Sequence, residues 1–366
     1  APSIPPEYLR SLQSVCDIVA NEFGEFRSTE CKARHGPGAV SDLGGKESKY
    51  SFPNWPEKLN RSFPMEELGF LNYSHWVDFL EDEADLAFVN HEPPSRLISV
   101  PKTAKGPRLI AAEPVAHQWC QQTVRDFITC RMSSTALGRS ISLNDQEPSR
   151  QAARLASLQG SFATIDLSSA SDRISPWIIE RLFRRNKTLL EALHSCRTRW
   201  IHNPITYDDS KTPTYWRLRK FTTQGSACTF PVQSVLFACV ALSVRMVNAR
   251  VPYLTTSALR QQARKVRVFG DDIIVEAGDF PMVMRLLEYL GLKVNPDKTH
   301  GTGRFRESCG LDAFGGHDVT PAAVNSLPLS QYKPSQLVSL VDCCNNFHRK
   351  GLLHTSKYLE KLLPAW

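Results

Sequence analysis

Asp271 and Asp272 stand side by side in KVRVFGDDIIVEAGD, residues 265–279, between two runs of β-branched residues. Alternation at Val266, Val268, Ile273 and Val275 around Gly270 predicts two short strands joined by a tight turn that carries the pair. Ordinary hairpin chemistry accounts for a Gly-Asp step, since both residues tolerate positive φ. Two like charges held on rigid strands nevertheless repel unless a cation lies beside them, and a hard divalent ion with oxygen ligands is the simplest choice. Asp166, at the end of the strand expected over Phe162 to Leu167, offers a third carboxylate. Three carboxylates would hold two Mg²⁺ ions, or Mn²⁺, roughly 3.5–4 Å apart, an arrangement suited to activating a hydroxyl and stabilising a leaving pyrophosphate. The plainer alternative is that Asp166 caps the following helix. Asp172, in the same DLSSASD segment, could accept a hydrogen bond from a nucleotide ribose hydroxyl.

Other residues suit phosphates. Lys102, Lys105 and Arg108 lie in PKTAKGPRL with no neighbouring acid, a pattern that suits either a triphosphate or a solvated hairpin tip. Gly225 and Ser226, ahead of a long apolar helix, would let backbone approach a nucleotide or template, with Thr229 and Gln233 one turn apart on one face. Between Arg181 and Lys220 ten basic residues face three acidic ones, a net +7 that equals the formal charge of the whole chain. Phe183, Trp200, Tyr207, Tyr215 and Trp216 are interleaved there, as in surfaces where cations meet phosphates and rings stack on bases.

These residues need elements to hold them. A chain of 366 residues, 42% hydrophobic, can bury a sizeable core in two or three subdomains. No run of 18 apolar residues occurs and APSIPPEYLR lacks the regions of a signal peptide, so the expectation is a soluble, unsecreted protein with no membrane partner. Ten scattered cysteines without a C-x-x-C pair fit a reducing cytosol better than a zinc site or a disulfide framework. Helices are expected after Pro5-Pro6, over PVAHQWCQQTVRDFITCRMSS as an amphipathic helix, and in part of MEELGFLNYSHWVDFLEDEADLAF. Strand, turn and strand are expected from Arg96 to Glu113. From Phe162 to Thr299 the order is strand, helix, basic insertion, helix, strand-turn-strand, helix, strand. Without the insertion this is β-α-β-β-α-β, a ferredoxin-like split arrangement that would present carboxylates from one end.

ATIDLSSASDRIS, QGSACTFPVQSVLF, VFGDDIIV, NPDKT and FRESCG, in that order and spacing, resemble palm motifs A to E in the RNA-dependent RNA polymerases of single-stranded RNA bacteriophages, the leviviral replicases. RHGPGA, VPKTAKGPRLIAAEP and ISLNDQ resemble segments upstream of that palm. The resemblance implies an α+β right-hand polymerase with a ferredoxin-like palm over 158–320. Fingers would occupy 1–157 plus a basic insertion at 185–222, and a truncated thumb would begin at 321–366. It implies metal binding by Asp166, Asp271 and Asp272, ribose selection by Asp172, and a grip on the triphosphate by Lys102, Lys105 and Arg108. Lys298 would protonate pyrophosphate, and Gly225, Ser226 and Thr229 would meet the nucleotide. Gln224 to Phe230 departs from the family's usual M-G-N-G-x-T-F, and Phe269 replaces a common Tyr. The activity implied is RNA-directed RNA synthesis from nucleoside triphosphates in the cytoplasm of an infected bacterium, with template and product RNA. Host elongation factors Tu and Ts and ribosomal protein S1 are further implied partners. A reverse transcriptase and an inactive RNA-binding fragment are the alternatives.

Overall fold

Pro5 sets an extended backbone just before the first helix, and Pro6 occupies its first turn, where a missing N–H costs nothing. In the computed structural model that helix, α1, spans Pro6–Glu22 and buries Val15, Cys16, Val19 and Ala20. The structure describes residues 3–44, 48–50, 52, 54–70, 74, 77, 88–89, 91–103, 106–205, 212–324 and 334–363. The fold is a mixture of helices and small sheets.

Strands β1 (Ser95–Thr103) and β2 (Gly106–Ala112) form the expected hairpin, with a register shift between Val100 and Thr103. Helix α2 (Val115–Met132) follows. Its sequence pattern predicts one apolar face, yet Val115 to Val124 are all buried, including His117, Gln118 and Gln121. Neighbouring elements cover it on several sides, so period alone misjudged its surroundings. Helix α3 (Glu147–Gln159) closes at Gly160, whose φ of +69° is that of a left-handed cap.

Strand β3 (Phe162–Ile165) leads into the site, and α4 (Pro176–Phe183) and α5 (Lys187–Cys196) follow it. The expected basic insertion is folded: after α5 come β4 (Trp200–His202) and β5 (Tyr215–Arg217), which extend the first hairpin into a sheet ordered β2-β1-β4-β5. Helix α6 (Thr229–Asn248) is then buried almost throughout, packing against α1. By length and composition it could cross a membrane, because isolated Gln and Ser residues hardly lower its hydropathy; its hydrophobic window is 83% buried inside the protein.

Strands β6 (Val266–Phe269) and β7 (Asp272–Glu276) complete an antiparallel sheet ordered β3-β7-β6, with Ile165 opposite Ile273 and Phe269 opposite Asp272. Helix α7 (Phe280–Tyr289) ends just before Gly291, again left-handed at φ +86°. The further strand expected after it is broken. Only two bridges join this segment to the edge of the sheet, Leu167 with Val294 and Thr164 with His300, separated by a 3₁₀ turn at Pro296–Lys298. Pro296 lacks the N–H that a continuous ladder requires. A hairpin of β8 (Phe305–Ser308) and β9 (Leu311–Phe314) follows. Helices α8 (Pro334–Arg349) and α9 (Leu353–Glu360) share a separate small core around Leu340, Cys343 and Phe347. Of the segment 65–88 in which helical turns were expected, Met65–Leu68 is helical and most of the remainder lies outside the described residues.

Candidate active site

Asp166 follows β3 directly, and the broken edge segment clamps it. Asn295 Nδ2 donates to Asp166 Oδ2 at 2.8 Å, the Asn295 N–H donates to the Asp166 carbonyl at 2.9 Å, and the Asp166 N–H donates to Thr299 Oγ1 at 3.2 Å. The Pro turn therefore does something a regular strand would not: it wraps side chains around the carboxylate. Burial pushes the Asp166 carboxyl above its ordinary value, the Asn295 hydrogen bond opposes this, and the nearby charge of Asp271 pushes it up again.

The second acid sits on a two-residue turn. Gly270 has φ +64° whereas Asp271 stays out of the left-handed region, as in a type II′ hairpin. A Cβ on Gly270 would come within 2.7 Å of the Phe230 ring, and the Gly270 N–H donates to Ser234 Oγ at 3.0 Å. Helix α6 thus presses the turn into place. Asp271 and Asp166 line one cavity of about 750 Å³, within the range of small-molecule sites.

Asp272 behaves differently. It is the first residue of β7, whereas Asp271 belongs to the turn, and it does not line the cavity. Its carboxylate accepts hydrogen bonds from the N–H and thiol of Cys309, in the β8-β9 turn. Burial pushes its pKa up to about 6, with Asp271 and Asp166 adding repulsion. Among the described residues no group of three His, Cys, Asp or Glu side chains is gathered as a metal-holding set. Two hard carboxylates on one cavity fit a hard cation, and Asp272 lies close enough to feel the charge of both.

Arg108 and Lys298 also line the cavity. Lys298, on the 3₁₀ turn, is paired with Glu307 at 2.5 Å, and that bond raises its pKa. The side chain of Lys102 and all of Lys105 lie outside the described residues. Gly225, Ser226 and Thr229 line the same cavity. Gly225 has φ +132°, and a Cβ there would lie 1.9 Å from the carbonyl oxygen of Ala111. The open backbone accommodates β2, while Gly225 still lines the cavity. Thr229 Oγ1 donates to the Thr223 carbonyl at 2.6 Å and is turned inward, tightening the loop. Asp172 lines the cavity and is ion-paired to Lys220. Ser169, beside it, holds φ +53° and ψ +46°, a conformation rare for a non-glycine residue.

The basic segment is partly consumed by the fold. Arg184 grips Asp17 at 2.7 and 2.5 Å, and Arg197 donates to the carbonyls of Leu218, Lys220 and Phe221.

Two residues of the site, Asn295 and Glu113, have no signal in the sequence pattern, and a third, Gln233, is marked there only by its spacing. Asn295 sits inside the quoted NPDKT, but only its lysine drew notice. Gln233 is buried at the cavity wall with Oε1 unpartnered among the described residues; the spacing from Thr229 was its only signal. Glu113 is wholly buried and accepts from Thr198, from Thr223 Oγ1 at 2.9 Å and from Gln121 Nε2 at 3.1 Å. Burial raises its pKa while these bonds resist. Because Gln121 Oε1 also accepts from the Ala227 N–H at 3.3 Å, this network braces the loop carrying Gly225 and Ser226.

The family described as RNA replicase, beta-chain matches residues 14–351. The RNA-directed RNA polymerase subunit beta of Escherichia virus Qbeta is 31% identical over 289 residues, covering 76% of this chain and 44% of that protein. The corresponding subunit of Enterobacteria phage SP is 34% identical over 297 residues, covering 78% and 46%. The beta chain of Escherichia phage MS2 is 34% identical over 227 residues, covering 62% and 36%. The chain thus spans less than half the length of these relatives.

Proposed function

We propose that this chain, which belongs to the RNA replicase beta-chain family, carries the catalytic part of an RNA-directed RNA polymerase. The observation that supports this best is the meeting of Asp166 and Asp271 with Arg108 and Lys298 on one cavity. On this reading the sheet β3-β7-β6 with the edge segment at Val294 and His300 is a ferredoxin-like palm over 158–320. Residues 1–157 with the 185–222 insertion are fingers, and 321–366 begin a thumb.

The reaction is attack of an RNA 3′-hydroxyl on the α-phosphate of a nucleoside triphosphate, with pyrophosphate leaving. Asp166 and Asp271 would hold Mg²⁺, which when bound lowers the pKa of the hydroxyl and neutralises phosphate charge. Asp272 supports the turn from behind by its hold on Cys309. Arg108 offers a fork to phosphate oxygens. Lys298 would serve as a fixed positive charge, since its pairing with Glu307 strengthens its hold on the proton. Asp172 would accept from the ribose 2′-hydroxyl, and Gln233 Oε1, buried and unpartnered, would take a further donor from substrate. The contribution of the protein is mostly positioning and charge stabilisation.

The partners on this reading are template and product RNA and nucleoside triphosphates, in the cytoplasm of an infected bacterium. Elongation factors Tu and Ts and ribosomal protein S1 are proposed as host subunits by family. The test is extension of a primed RNA template with Mg²⁺ and ribonucleotides. Extension that stops in Asp271→Asn supports the assignment. Preference for deoxyribonucleotides replaces it with a reverse transcriptase, and RNA binding without extension replaces it with an RNA-binding fragment.

A further inference from the structure

We infer that a second RNA-binding surface lies outside the catalytic cavity, formed by a cationic groove and an adjoining aromatic hairpin that together take single-stranded RNA. The groove has a volume of about 940 Å³ and shares no lining residue with the cavity around Asp166. Lys58, Arg61, Arg197, Arg199 and Arg217 line it, against Glu57, Glu92 and Glu191. Glu92 is already engaged by Lys58 at 3.1 Å and Arg199 at 2.6 Å. Neither Arg61 nor Arg217 has an ion-pair partner among the described residues. The groove therefore keeps cationic capacity that the fold does not use.

The hairpin β4-β5 rises beside it. Arg199 precedes Trp200, and Arg217 is the cross-strand partner of Trp200, so the groove and the hairpin are continuous. Tyr215 pairs with His202, two residues along, which places Trp200, His202, Tyr215 and Arg217 on one face. The His202 and Tyr215 rings are stacked at 4.9 Å with 22° between planes. Trp200 is 41% exposed and Tyr215 55%, a large apolar area to leave in water without a function. Phosphates lying in the groove would bring successive bases over Trp200 and the His202–Tyr215 stack, the combination that binds single strands without reading sequence. Cations set beside exposed rings supply both phosphate and base contacts of a single strand, so the pattern favours nucleic acid. The choice of RNA over DNA rests on the polymerase reading above.

Fluorescence anisotropy with a labelled, unstructured oligoadenylate of about 12 nucleotides tests this. The double variant Trp200→Ala, Tyr215→Ala should weaken binding about tenfold or more, the scale of base stacking on an aromatic ring. Arg61→Gln with Arg217→Gln should also reduce the slope of log K against log salt by about 1.4, that is, two phosphate contacts on a single strand. Arg61→Lys with Arg217→Lys should restore the slope, which a merely structural effect would not do. Parental affinity and salt slope in both the Ala and Gln pairs would overturn the inference. So would polyglutamate displacing RNA at lower concentration than unlabelled oligoadenylate, which would make the face a protein-docking surface. Binding that needs these residues in a chain that never extends a primer upholds this surface and removes the polymerase reading. Primer extension by a chain whose RNA affinity ignores them does the reverse.

Discussion

The carboxylate of Asp272 is held by the N–H of Cys309, while its neighbour Asp271 opens onto the cavity shared with Asp166. Adjacent acids in the sequence therefore have unequal duties. Asp271→Asn should reduce primer extension by about a hundredfold or more, the scale of removing one preorganised charge from a reacting centre. Asp272→Asn keeps an oxygen that can accept from Cys309, so it should cost less than about tenfold. Single-turnover extension rates on one primed template check the order. Equal losses in the two variants would mean that Asp272 also faces the substrate.

Gly225 and Ala111 meet backbone to backbone. Ala111 N–H donates to the Gln224 carbonyl at 2.6 Å, and the space for a Cβ at Gly225 is already filled by the Ala111 oxygen. Gly225→Ala should cost about 1–3 kcal/mol of stability through the strained φ alone, and should abolish extension by moving the loop. Thermal unfolding and extension assays read the two effects. A variant with parental melting temperature and activity would show that the loop does not depend on β2.

Lys220 is paired with Asp172 and keeps its carboxylate oriented at the cavity. Asp172→Ala should lower kcat/KM for ribonucleotides relative to deoxyribonucleotides about tenfold, which corresponds to one charge-assisted hydrogen bond. Lys220→Gln should give a smaller change in the same direction. Unchanged discrimination in both variants would remove Asp172 from ribose recognition.

His117 is fully buried, and neither ring nitrogen has a hydrogen-bond partner among the described residues. Burial depresses its pKa from 6.5 to about 3, with Lys58 adding repulsion. Below pH 6.5 the unfolded chain takes up a proton that the folded chain refuses until about pH 3. Stability from this residue is therefore present above pH 6.5 and lost as pH falls through that window. Between pH 7 and 5 the parent should lose about 2 kcal/mol more than His117→Leu. Urea unfolding at the two pH values measures the difference, and parallel curves would show that His117 is not the group that resists protonation.

The parts of the site that sequence pattern made visible are those built by short-range rules. Strand alternation and the Gly270 turn locate Asp271 without knowledge of the rest of the chain, and the end of β3 locates Asp166. The different surroundings of Asp271 and Asp272 were not legible, because they depend on Cys309, a residue distant in sequence that packs against Asp272. Glu113 and His117 were not legible, because burial of a polar residue depends on distant segments that pack over it. The same reason explains α2, read as amphipathic and found enclosed. The strand expected after Gly291 failed at Pro296, where the local rule against proline in a ladder outweighed the apolar alternation of Leu292 and Val294 before it.

Helix α1 and helix α6 pack along each other: in the core Ser11 Oγ donates to the Ser243 carbonyl at 2.9 Å, and at the exposed end Tyr8 donates to Asn248 Oδ1 at 2.8 Å. More than two hundred residues separate these partners. During synthesis α1 is complete long before α6 exists, and α6, when it emerges, is apolar along most of its length. The growing chain must hold one exposed face open for a partner not yet translated. Folding of this core is therefore governed by late, long-range closure, the slow and aggregation-exposed regime. A ribosome that stalls between residues 22 and 248 leaves α1 without the helix that covers it.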